Sequence, residues 1–135
     1  MTVTTRWKDK LQFEAFQEPA GTVLMDGNAQ TGMSPKALLL AGLAGCSAVD
    51  VVEILGKMRV PFKDLTVIST ADQTEDHPRV FADIDLWYIL ATDVSNEEKV
   101  NKAVHLSLEK YCGVAAMLRK NSPIRFRVEC RPPEP

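Results

Sequence analysis

Three cysteines and two histidines are the residues of this chain best suited to nucleophilic, redox or metal chemistry. Cys46 stands inside the uncharged stretch from Ala37 to Val49, among the small residues Gly42, Ala44, Gly45, Ser47 and Ala48. Cys112 lies between Tyr111 and Gly113, at the joint of two helical patterns. A thiol at such a joint meets the free amides of the following turn, which lowers its pKa and raises its reactivity. Each of these two cysteines also has a structural reading, as a small apolar side chain in a tightly packed helix or at a helix joint. Cys130 continues the apolar side of Ile124, Phe126 and Val128 and reads as structural. His77 precedes Pro78 in a polar turn, and His105 has polar neighbours on a helical pattern. Neither has metal-ligand spacing to the other or to a cysteine, so no zinc site is expected. The chain carries no phosphate-binding glycine loop, nucleophile elbow or HExxH motif.

The element that must position Cys46 is the stretch from Ser34 to Met58. It opens with a serine able to cap free amides and a proline at the first helical position. Leu, Ala, Gly, Val, Cys and Ser then fall on every side of the helical wheel, the pattern of a helix buried all round. A bilayer span needs about 20 apolar residues, and the uncharged run stops short of that at Asp50. The stretch is expected to be a central core helix. Its glycines cost roughly 1 kcal/mol each relative to alanine, which suggests close approach by another backbone. Asp50, one turn after Cys46, reads as the solvated end of the apolar stripe or as a carboxylate that orients a partner cation. Glu53 and Lys57 form an i,i+4 pair at the exposed end.

Around this helix the periodicity alternates between two kinds of element. Val3, Thr5 and Trp7, then Leu11, Phe13 and Ala15, then Thr22 to Met25 read as an antiparallel meander. Val60-Pro61 ends the helix. Leu65 to Thr70 and the alternation Val80, Ala82, Ile84, Leu86, Tyr88 give two paired strands. Ser95 to Glu98 has the form of a capping box, followed by a helix to about Tyr111. Val114 to Leu118 is a short third helix closed by Arg119 and Lys120 near its negative end, and Ile124 to Cys130 is the last strand. The order βββ-α-ββ-αα-β gives an α+β fold with antiparallel sheets wrapped around the long central apolar helix. A single sheet of six strands covers one side of that helix. The rest must come from the second helix or from another copy of the chain, so a homodimer is expected.

At 135 residues the chain is expected to be a single domain, 1–135. A net charge of −2 with interspersed signs points to no nucleic acid and no membrane surface as partner. The N-terminal MTVTTRWKDK lacks the apolar core of a signal peptide. Three widely spaced cysteines do not form a secreted disulfide framework. A cytoplasmic location is expected.

Taken together, SPKALLLAGLAGCSAVDVVEILGKM, the strand pair after it and EKYCGVAAMLRKNSPI resemble the OsmC/Ohr family over nearly the whole chain. These are the osmotically inducible and organic hydroperoxide resistance proteins. The specific part is a cysteine deep in a helix opened by Ser-Pro, with a second cysteine far downstream in a Tyr-Cys context. The form Gly-Cys-Ser-Ala-Val-Asp-Val-Val is similar to the OsmC-like branch. The resemblance implies an intertwined homodimer and an antioxidant role in oxidative stress, by reduction of organic hydroperoxides. It assigns Cys46 as the attacking, peroxidatic cysteine and Cys112 as the resolving one. Cys46 becomes a sulfenic acid, Cys112 condenses with it to a disulfide, and an external dithiol restores both. No cofactor, metal or flavin is implied. An apolar wall that includes Leu38, Leu39 and Leu43 would favour organic peroxides. In the reductases an acidic residue follows the helix-opening proline and pairs with an N-terminal arginine; here that position is Lys36, and the N-terminal strands offer only Arg6.

Two other readings stand beside this one. The first is a non-enzymatic dimer of the same fold that holds an apolar small molecule or serves a structural stress role. The second, a hydrolase with a cysteine nucleophile, needs a histidine beside Cys46, and both histidines are placed elsewhere.

Overall fold

A computed structural model describes residues 1–134 and divides into two compact units, Met1–Leu40 and the chain from Ala41 onward. In the first unit, β1 (Thr4–Asp9), β2 (Gln12–Gln17) and β3 (Gly21–Asp26) form an antiparallel sheet in that order. The register Trp7↔Phe13↔Met25 carries the expected alternation across all three strands. At the end of β3 the Asp26 carboxylate accepts hydrogen bonds from the amides of Asn28, Gln30 and Thr31 and from the Thr31 hydroxyl. Those donors favour the charged form, and the Asp26 pKa is lowered. The meander is thus tied off just before the helix.

Helix α1 (Pro35–Lys57) begins as its sequence dictates. Ser34 Oγ accepts from the Ala37 amide at 3.2 Å, and Pro35 occupies the first helical position. By length and composition alone α1 would suffice to cross a bilayer, which corrects the reading that stopped the run at Asp50. Leu43, Ser47, Val51 and Leu55, at i,i+4 spacing, are nonetheless buried inside the protein. This is a core helix with one covered face.

The expectation that α1 is buried all round fails within one chain. Val49 is 59% exposed and Val52 45%. A Cβ placed on Gly42 or Gly45 would meet nothing within 4 Å, so among the described residues no close backbone neighbour of the kind those glycines suggested is present. The helical wheel is apolar on every side because two faces need covering, and only one is covered.

In the second unit, β4 (Leu65–Gln73), β5 (Phe81–Ala91) and β6 (Ile124–Arg131) form a second sheet in that order. The expected single six-stranded sheet is therefore replaced by two sheets of three strands. The α+β class with a long apolar helix stands, while the antiparallel expectation holds for every pair except β5–β6. That pair is parallel, with Ile84↔Ile124 and Leu90↔Cys130 in register. The helical segment between the two strands is the long crossover that parallel neighbours require.

Alternate residues of β5, Ile84, Leu86, Tyr88 and Leu90, are fully or almost fully buried. With the α1 stripe and Val100, Ala103 and Val104 of α2 (Glu97–Leu106), they make the core of this unit. The start of α2 differs from the expected capping box. Asp93 accepts from the Ser95 amide at 2.9 Å and caps a short 3-10 turn, Val94–Asn96, and Ser95 does not cap α2.

Candidate active site

The two candidate thiols come from different elements and meet. Cys46 lies one position before the buried Ser47 on α1, about 100° round the axis, and is half-buried. Cys112 is buried, at 3% exposure, between α2 and α3 (Gly113–Arg119). The Cys46 side chain lies close enough to that of Cys112 to raise the Cys112 pKa, and both are free thiols.

The joint that carries Cys112 is not a simple helix end. After α2 the chain makes one π turn, Ser107–Tyr111. The Cys112 amide donates to the Ser107 carbonyl, five residues back, at 2.7 Å. A regular α-helix would send that amide to Leu108 O. The Leu108 carbonyl is met instead by Arg119 Nη2 at 2.6 Å. Cys112 itself turns extended (φ −76°, ψ 104°) and caps α3, its Sγ accepting from the Ala115 amide at 3.4 Å.

That amide contact is the one the sequence suggested, but its consequence differs. Burial pushes the Cys112 thiol up to about 11, the Ala115 amide opposes this, and contact with Cys46 adds to the rise. Desolvation of the thiolate outweighs one long amide bond. Cys112 is held as a thiol.

Next to the thiols is a buried polar chain that sequence reasoning missed. The hydroxyls of Tyr88 and Ser47 are 2.6 Å apart, and those of Ser47 and Ser107 are 2.9 Å apart. Ser107 Oγ donates to Asp50 Oδ2 at 3.0 Å, with the Ser47 carbonyl at 3.3 Å as a second acceptor. Each hydroxyl has one proton, and that of Ser107 is committed to Asp50. The chain therefore donates in one direction, from Tyr88 to Ser47 to Ser107 to Asp50. Burial, first, and the nearby Cys112 and Asp50 charges push the Tyr88 phenol up to about 12, against the Ser47 hydrogen bond. Asp50 is half-buried and also ends this hydroxyl chain, a role that its place at the end of the apolar stripe did not reveal.

Cys130 is buried on β6, and burial, with Glu97 contributing, raises its pKa. His77 is in the exposed β4–β5 turn and His105 is exposed on α2. Among the described residues no group of three or more His, Cys, Asp or Glu side chains is placed to hold a metal ion. Lys36 is half-buried near the start of α1.

Two thiols in contact, one on a long core helix and the other at a helix joint beside a mixed sheet, define a dithiol protein of α+β fold. The family model for OsmC-like proteins matches residues 27–127, and the chain belongs to that family. Protein YhfA of Escherichia coli is 39% identical over 121 residues, covering 89% of this chain and 90% of its own length. The structure of an OsmC-like protein from Mycoplasma pneumoniae superposes with a TM-score of 0.83 at 16% identity, covering 96% of this chain and 95% of its own. The organic hydroperoxide resistance protein OhrB of Bacillus subtilis superposes with a TM-score of 0.68 at 17% identity, covering 95% and 96%. These two likenesses are of fold.

Proposed function

We propose that this protein is a cysteine-based peroxidase that reduces organic hydroperoxides. The observation that carries the reading is the contact between the Cys46 and Cys112 thiols. Membership of a family whose structural neighbours include hydroperoxide resistance proteins supports the same chemistry.

The Cys46 thiolate attacks one peroxide oxygen, the O–O bond breaks, and the leaving alkoxide takes a proton to give an alcohol. Cys46 is then a sulfenic acid. The Cys112 sulfur attacks it, a disulfide forms and water leaves. A dithiol reductant in the reducing cytoplasm restores both thiols by exchange and is itself oxidised to a disulfide. A Cys112 that is kept protonated, already touching Cys46, serves as the resolving partner rather than as a competing nucleophile.

The working form is a homodimer in which a second copy covers the open face of α1. Three features support this. Leu39, Val49 and Val52 are exposed apolar residues of one helix. The Gly42 and Gly45 positions face open space. The β1–β3 sheet leaves Trp7, Val23 and Leu24 exposed, and a small sheet needs an apolar face packed to be stable.

The test is titration of the reduced protein with cumene hydroperoxide and, separately, hydrogen peroxide, followed by mass spectrometry. A Cys46–Cys112 disulfide that forms rapidly with the organic peroxide, and in neither Cys46→Ser nor Cys112→Ser, is the expected result. Survival of both thiols in excess peroxide overturns the proposal and leaves a non-enzymatic dimer.

A further inference from the structure

The π turn bonds Ser107 to both elements that carry the thiols, in a way that the cysteine chemistry by itself does not require. Its carbonyl holds the Cys112 amide at 2.7 Å. Its hydroxyl is 2.9 Å from that of Ser47, and it donates to Asp50 at 3.0 Å. Ser47 and Asp50 stand one and four positions after Cys46 on the same helix. One residue thus ties the backbone that carries one sulfur to the helix that carries the other. Ser107 and Ser47 are fully buried, so these bonds have no water to replace them.

We propose that Ser107 is a positioning residue for disulfide formation, setting the distance between Cys46 and Cys112 through the Ser47–Ser107–Asp50 bonds. A disulfide requires Cα atoms roughly 4.4–6.8 Å apart and a specific dihedral. Small displacements of reacting groups have large effects on rate. A loose π turn would leave both cysteines in the protein but not in line. The inference deepens the peroxidase reading and uses the same two sulfurs. Its physical content, the effective concentration of one thiol at the other, is measurable without any peroxide.

The experiment therefore has two arms, applied to the parent chain and to the Ser107→Ala, Asp50→Ala and Asp50→Asn variants. In the first, each protein is equilibrated with reduced and oxidised glutathione and the Cys46–Cys112 disulfide is quantified by mass spectrometry. Oxidised glutathione takes up the two electrons and leaves as two thiols, so the equilibrium gives the effective concentration directly. The expected result is a loss of about five- to tenfold for Ser107→Ala, the worth of one buried hydrogen bond. Asp50→Ala, which keeps the Ser107 hydroxyl but removes its nearer acceptor and leaves the Ser47 carbonyl at 3.3 Å, should show a loss in the same direction. It also keeps the question answerable if Ser107→Ala does not fold. Asp50→Asn keeps an acceptor oxygen and should restore the parent value within about twofold. A general loss of stability would move both Asp50 variants alike.

In the second arm, excess cumene hydroperoxide should leave more Cys46 as sulfinic acid in Ser107→Ala, because slow resolution exposes the sulfenic acid to a second peroxide. The inference is overturned if the parent forms no internal disulfide with glutathione, or if the folded Ser107→Ala or Asp50→Ala variant equals it. If the glutathione arm shows the loss while peroxide oxidises neither thiol of the parent, the positioning role stands and the peroxidase proposal fails.

Discussion

Ser47, the residue directly after Cys46, holds its hydroxyl 2.6 Å from that of Tyr88, inside the core of the second unit. Because the chain of hydroxyls ends on a carboxylate, Tyr88 donates and Ser47 accepts. The buried tyrosine is thereby satisfied, and Ser47 is left free to donate onward to Ser107.

This direction ranks two substitutions. Tyr88→Phe removes only the terminal donor and should cost about 1 kcal/mol. Ser47→Ala strands the buried Tyr88 hydroxyl and should cost about 1–3 kcal/mol. Urea unfolding of the two variants tests the order; a larger loss for Tyr88→Phe would refute the direction of donation.

The Cys112 thiol should titrate near 11 in the folded protein, because burial disfavours its thiolate. The pH dependence of iodoacetamide alkylation at Cys112, read by peptide mass, measures this. In urea the midpoint should fall back to the ordinary thiol range.

Alkaline pH should weaken the fold. Cys112 is raised from 9.0 to about 11 and Tyr88 from 10.0 to about 12. Between each pair of values the unfolded chain has lost a proton that the folded chain still holds. Stability is therefore undiminished below pH 9 and declines as pH rises through 11 and 12. Replacing Tyr88 by Phe should flatten the upper part of that decline in chemical denaturation measured across this range.

Arg119→Ala should cost about 1–3 kcal/mol, since it leaves the Leu108 carbonyl of the π turn without its partner. The ion pair of Arg119 with Glu109, 3.8 Å long and exposed, should contribute under about 1 kcal/mol. Glu109→Gln is thus the control, and thermal unfolding of both variants separates the two contacts. Equal losses would return the weight to the ion pair.

Val49→Asp places a charge on the open face of α1 and should convert the proposed dimer to monomer in sedimentation equilibrium. The apparent melting temperature of the parent should rise with protein concentration, as for any folded state stabilised by association. A parent that sediments as a monomer at all concentrations would remove the second copy from the proposal.

Much of the frame was readable from residue order. Ser34-Pro35 marked the start of α1, alternation marked β5 and β6, and Tyr111-Cys112-Gly113 marked a joint. Local patterns reported local structure. What could not be read depended on partners distant in sequence. The parallel pairing of β6 is decided by where a crossover returns the chain. The hydroxyl chain joins positions 47, 50, 88 and 107, which no window spans. One signal for it was present: a tyrosine on the buried side of β5 needs a partner for its hydroxyl, and Ser47 fell on the buried stripe of α1. Cys112 was placed correctly at an amide-rich joint, yet the direction of its pKa depended on burial, which spacing does not report.

The π turn before Cys112 sets the direction in which everything after it leaves the helix. Each residue added to or removed from a helix rotates everything after it by about 100°. If the same residues closed as an ordinary α-helical ladder, Cys112 would take Leu108 O in place of Ser107 O. The straightened chain would have more regular secondary structure and all three of its cysteines. Its sulfur would nonetheless be clocked to a different bearing, away from Cys46. The extra residue works as an angular setting, and what it fixes is aim rather than strength.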